Sequence, residues 1–338
     1  MDSSTIKARK SVRTFNDRPI PDEVLAKLED FTKHDTNPFG VPVTFKFLDR
    51  KRDGVSSPVI VGADTYVAAK YRRQEDAELG FGYSFERFVL LATSLGLGTV
   101  WLAATIDRKA FERALGVGAD EVMPAVTPLG YAADKRSLRE TLMRKNMRAD
   151  DRAPFESLFF RGDFDHPLAE GEAGGLLEPL QMVRWSPSAT NKQPWRLVIE
   201  GDKVHFFEHR TKGYARESTG DIQKVDMGIA ACHFQIAAEE AGLPGEFLKE
   251  DPGLRTPEDT SYVTTFVTST EARAPDGSAR PSAKASEPCR CRTMRSGSQS
   301  KGVATCLAPA PPRAPSRSAA RACTTSGTST SPCRSESS

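Results

Sequence analysis

Apolar positions recur along this chain at two different periods. Spacings of three to four residues predict helices over 22–31, 82–94, 136–145, 176–185 and 227–241. Alternation of apolar and polar positions predicts strands over 43–48, 125–130, 195–200, 204–208 and 262–267. The first of these helices follows Pro21, and Asp22 and Glu23 place negative charge against the positive end of its dipole. The stretch 82–94 is apolar almost all round, the pattern of a helix buried on most sides. Helices bracketing sheets predict an α+β layered core.

The series of elements occurs twice. Gly82-Tyr83-Ser84-Phe85-Glu86-Arg87-Phe88 through Gly96-Leu97 aligns with Gly228-Ile229-Ala230-Ala231-Cys232-His233-Phe234 through Gly242-Leu243, at a constant spacing of 146 residues. Phe88 then meets Phe234 and Ala92 meets Ala238. The chain is expected to hold two diverged copies of one half, residues 1–155 and 156–270, each about the size of a small domain.

Composition separates a third region. The formal net charge of +2 hides 11 Lys and Arg against 4 Asp and Glu in residues 271–338, leaving 36 against 41 in the rest. The last 68 residues contain no Phe, Trp, Tyr or Ile. They cannot bury enough apolar surface to offset ordering entropy, so a disordered basic tail is expected. The abrupt change suggests a shifted reading frame as its origin. Nucleic-acid binding by this tail is not favoured, because the aromatics that stack on bases are missing. Cys289, Cys291, Cys306, Cys323 and Cys333 show no zinc-site spacing. Up to residue 270 no run reaches the roughly 20 apolar residues of a spanning helix, and the N-terminus lacks a signal-peptide core. The expectation is a cytoplasmic, disulfide-free body without membrane or nucleic-acid partners. Cys232 alone lies in it, as a packing residue.

Two segments carry candidate chemistry. Ser186-Pro187-Ser188-Ala189-Thr190-Asn191-Lys192-Gln193-Pro194-Trp195 lies between a predicted helix and a predicted strand. Its short hydroxyls and carboxamides would line a planar heteroaromatic ligand, although a Ser- and Pro-rich closing turn has a similar composition. Near the start, Arg9-Lys10-Ser11-Val12-Arg13-Thr14-Phe15 lets Arg9, Ser11 and Arg13 converge on one side of an extended backbone. Guanidinium groups bind phosphate oxygens bidentately, and a serine hydroxyl adds a contact. A solvated basic face is the plain alternative. His34, His166, His205, His209 and His233 lack ligand spacing and are read as structural or solvated.

Taken together, these segments resemble the two signature segments of the FMN-dependent nitroreductase superfamily. Ser94-Leu95-Gly96-Leu97-Gly98-Thr99-Val100-Trp101 is similar to the family's helix end and glycine turn, and Thr127-Pro128-Leu129-Gly130-Tyr131 to its returning strand. The resemblance covers roughly residues 5–270. In the usual single-domain form the polar loop follows the basic motif within a few dozen residues. Here that place, His34 to Pro42, has lost the serines, the Gln and the Trp.

The resemblance implies a nitroreductase-like fold: two tandem copies of a helix-flanked mixed β-sheet forming an intramolecular pseudo-dimer, with one complete FMN site rather than two. Such a chain would act as a monomer. By the same resemblance Arg9, Lys10, Ser11, Arg13, Lys135 and Arg136 bind the FMN phosphate and ribityl chain. Ser188, Asn191 and Gln193 face the ring, Pro187 shapes the loop, and the backbone at Ala103 and Ala104 points at the flavin's redox edge. No side chain is required to act as a catalytic nucleophile, because the flavin carries the redox step. The implied reaction is ping-pong, from NAD(P)H through FMN to a small-molecule acceptor of nitroaromatic or quinone type. A flavin-binding sensor or reservoir without turnover, a flavoenzyme doing other chemistry and a cofactor-free pseudo-dimer are the competing readings.

Overall fold

In the computed structural model, residues 1–134 and 151–269 are described. The expected helix over 136–145, Lys135, Arg136 and the basic tail lie outside the described residues. In chain order the elements are α1 (Ser3–Ala8), α2 (Asp22–His34), β1 (Thr44–Asp49), β2 (Thr65–Arg72), α3 (Ala77–Ser94), α4 (Arg108–Leu115), β3 (Glu121–Val122) and β4 (Val126–Leu129). There follow β5 (Phe159–Arg161), α5 (Leu177–Trp185), β6 (Trp195–Glu200) and β7 (Lys203–His209). The short ladder of β8 (Ala215–Arg216) and β9 (Gly220–Asp221), α6 (Ile222–Glu240), β10 (Gly245–Leu248) and β11 (Thr260–Thr268) complete the series.

Two sheets form the layers. In the first, β2 is central: β1 pairs antiparallel along one side, and β4 and the short β3 pair antiparallel along the other. In the second the order is β10-β11-β7-β6-β5, antiparallel except for the parallel β5–β6 pair. The expected mixed sheet thus describes the second layer. In the first, parallel pairing is confined to isolated bridges, Ser11 with Thr99 and Thr14 with Val61.

The predicted elements over the described residues are present, but the sequence pattern missed three of some length. Strand β2 is buried on both faces, from Tyr66 to Ala69, so it shows no alternation to read. Helix α4 is short, although its ends are marked: the Asp107 carboxylate accepts from Ala110 N at 3.2 Å, and Gly116 closes it at φ 73°. Helix α1 is likewise held by Asp2, whose carboxylate accepts from Thr5 N at 2.8 Å. Helix α6 starts five residues before its apolar run because Asp221 caps it at Gln223 N and because Gln223 and Asp226, though polar, are buried.

α3 and α6 cross at the centre of the molecule, each buried on most sides. The crossing is reciprocal. A Cβ on Gly82 would overlap the carbonyl oxygen of Val225, and one on Gly228 would overlap that of Leu79. Residues 79 and 225, like 82 and 228, stand 146 positions apart, so each contact is repeated with its partners exchanged. That is the contact pattern of a two-fold interface. The core crosses it too. Ile6, Leu79, Tyr83 and Leu90 pack with Trp195, Phe206, Phe234 and Phe266, while Val225 packs with Phe81, Phe85 and Phe88. Each fully buried large apolar side chain contributes about 1.5–3 kcal/mol. Among the described residues no helix is long and apolar enough to cross a membrane.

Candidate functional site

The basic segment runs extended between three neighbours. Val12 N donates to Thr99 O at 2.9 Å, Val61 N to Arg13 O at 2.9 Å, Phe15 N to Val61 O at 2.8 Å and Asn16 N to Tyr131 O at 3.0 Å. Gly98 donates to Gly130 O at 2.7 Å, which closes the floor beneath it. A Cβ on Gly98 would come within 2.9 Å of the Val12 side chain, so the glycine is what permits this close approach. The four segments with family-like sequence therefore do not scatter: three of them meet here. Lys10 is exposed, Arg9 and Ser11 are half-buried, and Arg13 is buried.

The polar decapeptide leaves α5 and enters β6 through an unusual backbone. Thr190, Asn191 and Gln193 have φ of 48°, 58° and 51°. Left-handed backbone costs a non-glycine residue roughly 1–2 kcal/mol, and least for Asn, whose side chain bonds locally. Such strain persists where surrounding bonds hold it. Those bonds are present. Gln193 N donates to Ser188 Oγ at 2.9 Å, Ala153 N to Gln193 Oε1 at 3.0 Å, and Asn191 Nδ2 to Asp151 O at 3.0 Å. Ala189 N donates to both oxygens of Asp226 at 3.0 and 3.2 Å, and Thr190 pairs with the Tyr214 hydroxyl. Pro187 is half-buried at the loop's start, and the fully buried Trp195 anchors its end.

A buried network joins the two segments. Glu86 of α3 is wholly buried; its Oε2 accepts from Trp101 Nε1 at 2.7 Å, and its Oε1 lies 2.9 Å from His233 Nε2 and 3.6 Å from Arg9 Nε. The other ring nitrogen of His233 lies 3.0 Å from Ser186 Oγ and 3.1 Å from Met182 O. Helix α1, which delivers Arg9, is tied to α5 by Lys7 to Glu178 at 2.6 Å and to the end of α6 by Ser3 N to Glu240 at 2.8 Å.

Buried acids stand behind the polar loop. Burial holds the Asp226 carboxyl well above the usual carboxylate range, and only the bond from Ala189 pulls it back. Burial also pushes Glu208 up to about 7, with Asp221 adding and Arg210 opposing. Among the described residues neither Glu208 oxygen has a hydrogen-bond partner, and Arg210 Nε is 3.5 Å from Oε2. A carboxyl whose folded value is raised binds its proton more tightly when folded. Stability is therefore lost as pH rises from the unfolded value, 4.5, through about 7. Glu208→Gln should nearly match the wild type at pH 4.5 and exceed it by about 3 kcal/mol at pH 8, read by denaturant unfolding at both pH values. Equal differences at the two pH values would mean that Glu208 does not titrate there.

Ala103 is half-buried and Ala104 exposed, on the turn after Leu102. Arg108 Nη2 holds that turn by donating to Ala103 O at 2.8 Å. A separate cleft, lined by Arg73, Glu112, Glu121, Met123, Glu217 and Ser218 among others, shares no residue with either motif.

The basic segment and the polar loop are each assembled as local units, and the Glu86 network connects them. Sequence reasoning passed over Glu86, Ser186, Asp226 and His233. An acid in the middle of a mostly apolar helix was the available signal for Glu86. His233 looked like one scattered histidine because its partners lie 47 and 147 residues away. At the degenerate place 34–42, Asn37 bonds Val41 O and Ser84 Oγ, and Phe39 packs on Tyr83 and Phe247.

A family model described as "Putative TM nitroreductase" matches residues 3–238. A crystal structure of a protein described as a "putative nitroreductase" from Thermotoga maritima is 22% identical, covering 79% of this chain and 94% of its own, with a TM-score of 0.52. A nitroreductase with bound FMN from Bacteroides fragilis is 23% identical and covers 40% of this chain and 90% of its own, with a TM-score of 0.33. An iodotyrosine deiodinase bound to FMN and 3-iodo-L-tyrosine is 16% identical over 40% of this chain and 92% of its own, with a TM-score of 0.34. At these identities the Thermotoga likeness concerns the fold alone, and the other two are too partial to argue from. None of the curated proteins matches.

Proposed function

Because the chain belongs to this nitroreductase family, we propose that it is an FMN-dependent oxidoreductase passing reducing equivalents from NAD(P)H to an electron-poor acceptor of nitroaromatic or quinone type. The observation that supports this reading is the pairing of a cation-rich extended segment from one half with a strained, hydrogen-bonded carboxamide loop from the other, joined through Glu86. The donor set fits the cofactor. Arg9, Lys10, Ser11 and Arg13 supply the charge and hydroxyl that a phosphate requires. Ser188, Asn191 and Gln193 supply donors and acceptors of the kind a flavin ring reads, on a backbone stiffened before any ligand arrives.

The chemistry supplied by bound FMN is hydride uptake from NAD(P)H followed by reduction of the acceptor, in ping-pong order. The protein's part is to hold the phosphate end and the ring end at a fixed separation and to keep one flavin face open. Backbone donors at Ala103 and Ala104 would stabilise negative charge at the redox edge. The two halves act as an intramolecular pseudo-dimer with a single site, since Asn37 and Phe39 are already committed to packing where a second polar loop would stand. Linking the halves in one chain removes the association cost of a two-chain site.

The test is the visible spectrum of the purified protein, with FMN identified after heat release, followed by NAD(P)H oxidation with a quinone. Protein that stays colourless and cannot be reconstituted with FMN would overturn the proposal. Asn191→Gly keeps the left-handed backbone while removing the carboxamide, and should weaken FMN binding by about 0.5–1.5 kcal/mol. An unchanged titration would remove Asn191 from the site.

A further inference from the structure

We propose that Glu86 is a positioning residue that sets the two ends of the flavin pocket against each other. One carboxylate reaches three segments distant in sequence: Arg9 at 3.6 Å, Trp101 at 2.7 Å and His233 at 2.9 Å. Arg9 belongs to the phosphate-side segment. Trp101 closes the glycine turn that runs beside Ser11. His233 carries the connection on to Ser186, the first residue of the ring-side loop. The inference rests on the proposed flavin site and adds a residue that contacts no part of the ligand.

Glu86 is costly to bury. An ionised carboxylate inside a core carries a desolvation penalty of several kcal/mol unless it is fully paired. Glu86 and His233 are both 0% exposed, as is Ser186. A helix needing only to pack would have an apolar residue here, as α6 has Cys232 at the equivalent position, 146 residues on. The acid is instead saturated by donors on both of its oxygens. His233 faces Glu86 through Nε2 while its Nδ1 lies against both Ser186 Oγ and Met182 O, so the ring holds the acid and the start of the ring-side loop together. Arg9 gains the most direct constraint: its side chain is 9% exposed, and the charge beside it limits where the guanidinium can swing. Removing the charge should therefore loosen Arg9 and Ser186 at once, although the two belong to different halves.

The experiment compares wild type, Glu86→Gln, Ser186→Ala and the double variant by FMN fluorescence quenching and by thermal unfolding. Glu86→Gln keeps the size and loses the charge. It should weaken FMN binding about tenfold and shift the bound-flavin absorption maximum, and Ser186→Ala should weaken binding about threefold. The double variant should be no weaker than Glu86→Gln alone, because both changes break one connection. Multiplicative losses, or a Glu86→Gln protein with lowered melting temperature but unaltered FMN affinity and spectrum, would overturn the proposal. If Glu86→Gln fails to fold, Trp101→Phe and Ser186→Ala carry the same cycle, and additivity between them counts against the network. Failure of the wild type to bind FMN would instead sink the flavin assignment. Glu86–Ser186 coupling is then read from unfolding alone, where additive losses reject the connection.

Discussion

Gly228→Ala is expected to destabilise the protein by about 3 kcal/mol or more, one of the largest effects available from a single methyl group. The new carbon would stand 2.8 Å from Tyr83 N and 2.9 Å from the Gly82 Cα, and would overlap the Leu79 carbonyl oxygen. All three obstacles are backbone, so no rotamer change relieves the clash. α3 and α6 must move apart, and the aromatic layers on either side of the crossing lose contact with them. Gly171→Ala is the control: its Cβ meets nothing within 4 Å, and its φ lies outside the left-handed region. Chemical unfolding of the two variants decides the matter. A Gly228→Ala protein within about 0.5 kcal/mol of the control would show that the helices do not touch at this point.

Arg13→Ala should weaken FMN binding by about 1.5–3 kcal/mol, roughly 10- to 150-fold, the worth of a hydrogen bond to a charged group. The backbone around it should survive the change. Arg13 O accepts from Val61 N, and Val12 and Phe15 are each held by main-chain bonds of their own. The loss would therefore report the side chain rather than a displaced segment. Arg13→Lys should recover part of it, because the charge remains while the two-pronged geometry does not. Titration by flavin fluorescence at low and moderate salt provides the measurement. Arg13→Ala binding FMN as tightly as the wild type would place the phosphate elsewhere.

Much of this architecture was legible from periodicity. The strand over 195–200 has the bounds the alternation predicted, and the two central helices were located from their apolar runs. What escaped did so for physical reasons. Strand β2 has helices or strands on every side, so burial erased the alternation that normally marks a strand. Glycine and serine in the candidate site were visible as residue types. Their geometry was not: nothing in the letters Thr190 and Gln193 announces left-handed backbone, which bonds to distant residues such as Tyr214, Asp226 and Ala153 help to hold. The Glu86 network was the least readable, since its members come from five segments, around Arg9, Glu86, Trp101, Ser186 and His233, and meet only once these have packed together.

Helix α1 gives this molecule a particular order of assembly. Its Ile6 sits among aromatic residues contributed by the last third of the described chain, and Ser3 N bonds Glu240, 237 residues later. Helix α1 must therefore wait for nearly the whole described body before it finds its place. Contacts of such long range slow folding, and they leave an unsatisfied apolar turn available to chaperones in the interval. A bulky fusion at the amino terminus would act on that final docking step, and through Arg9 on the pocket it completes.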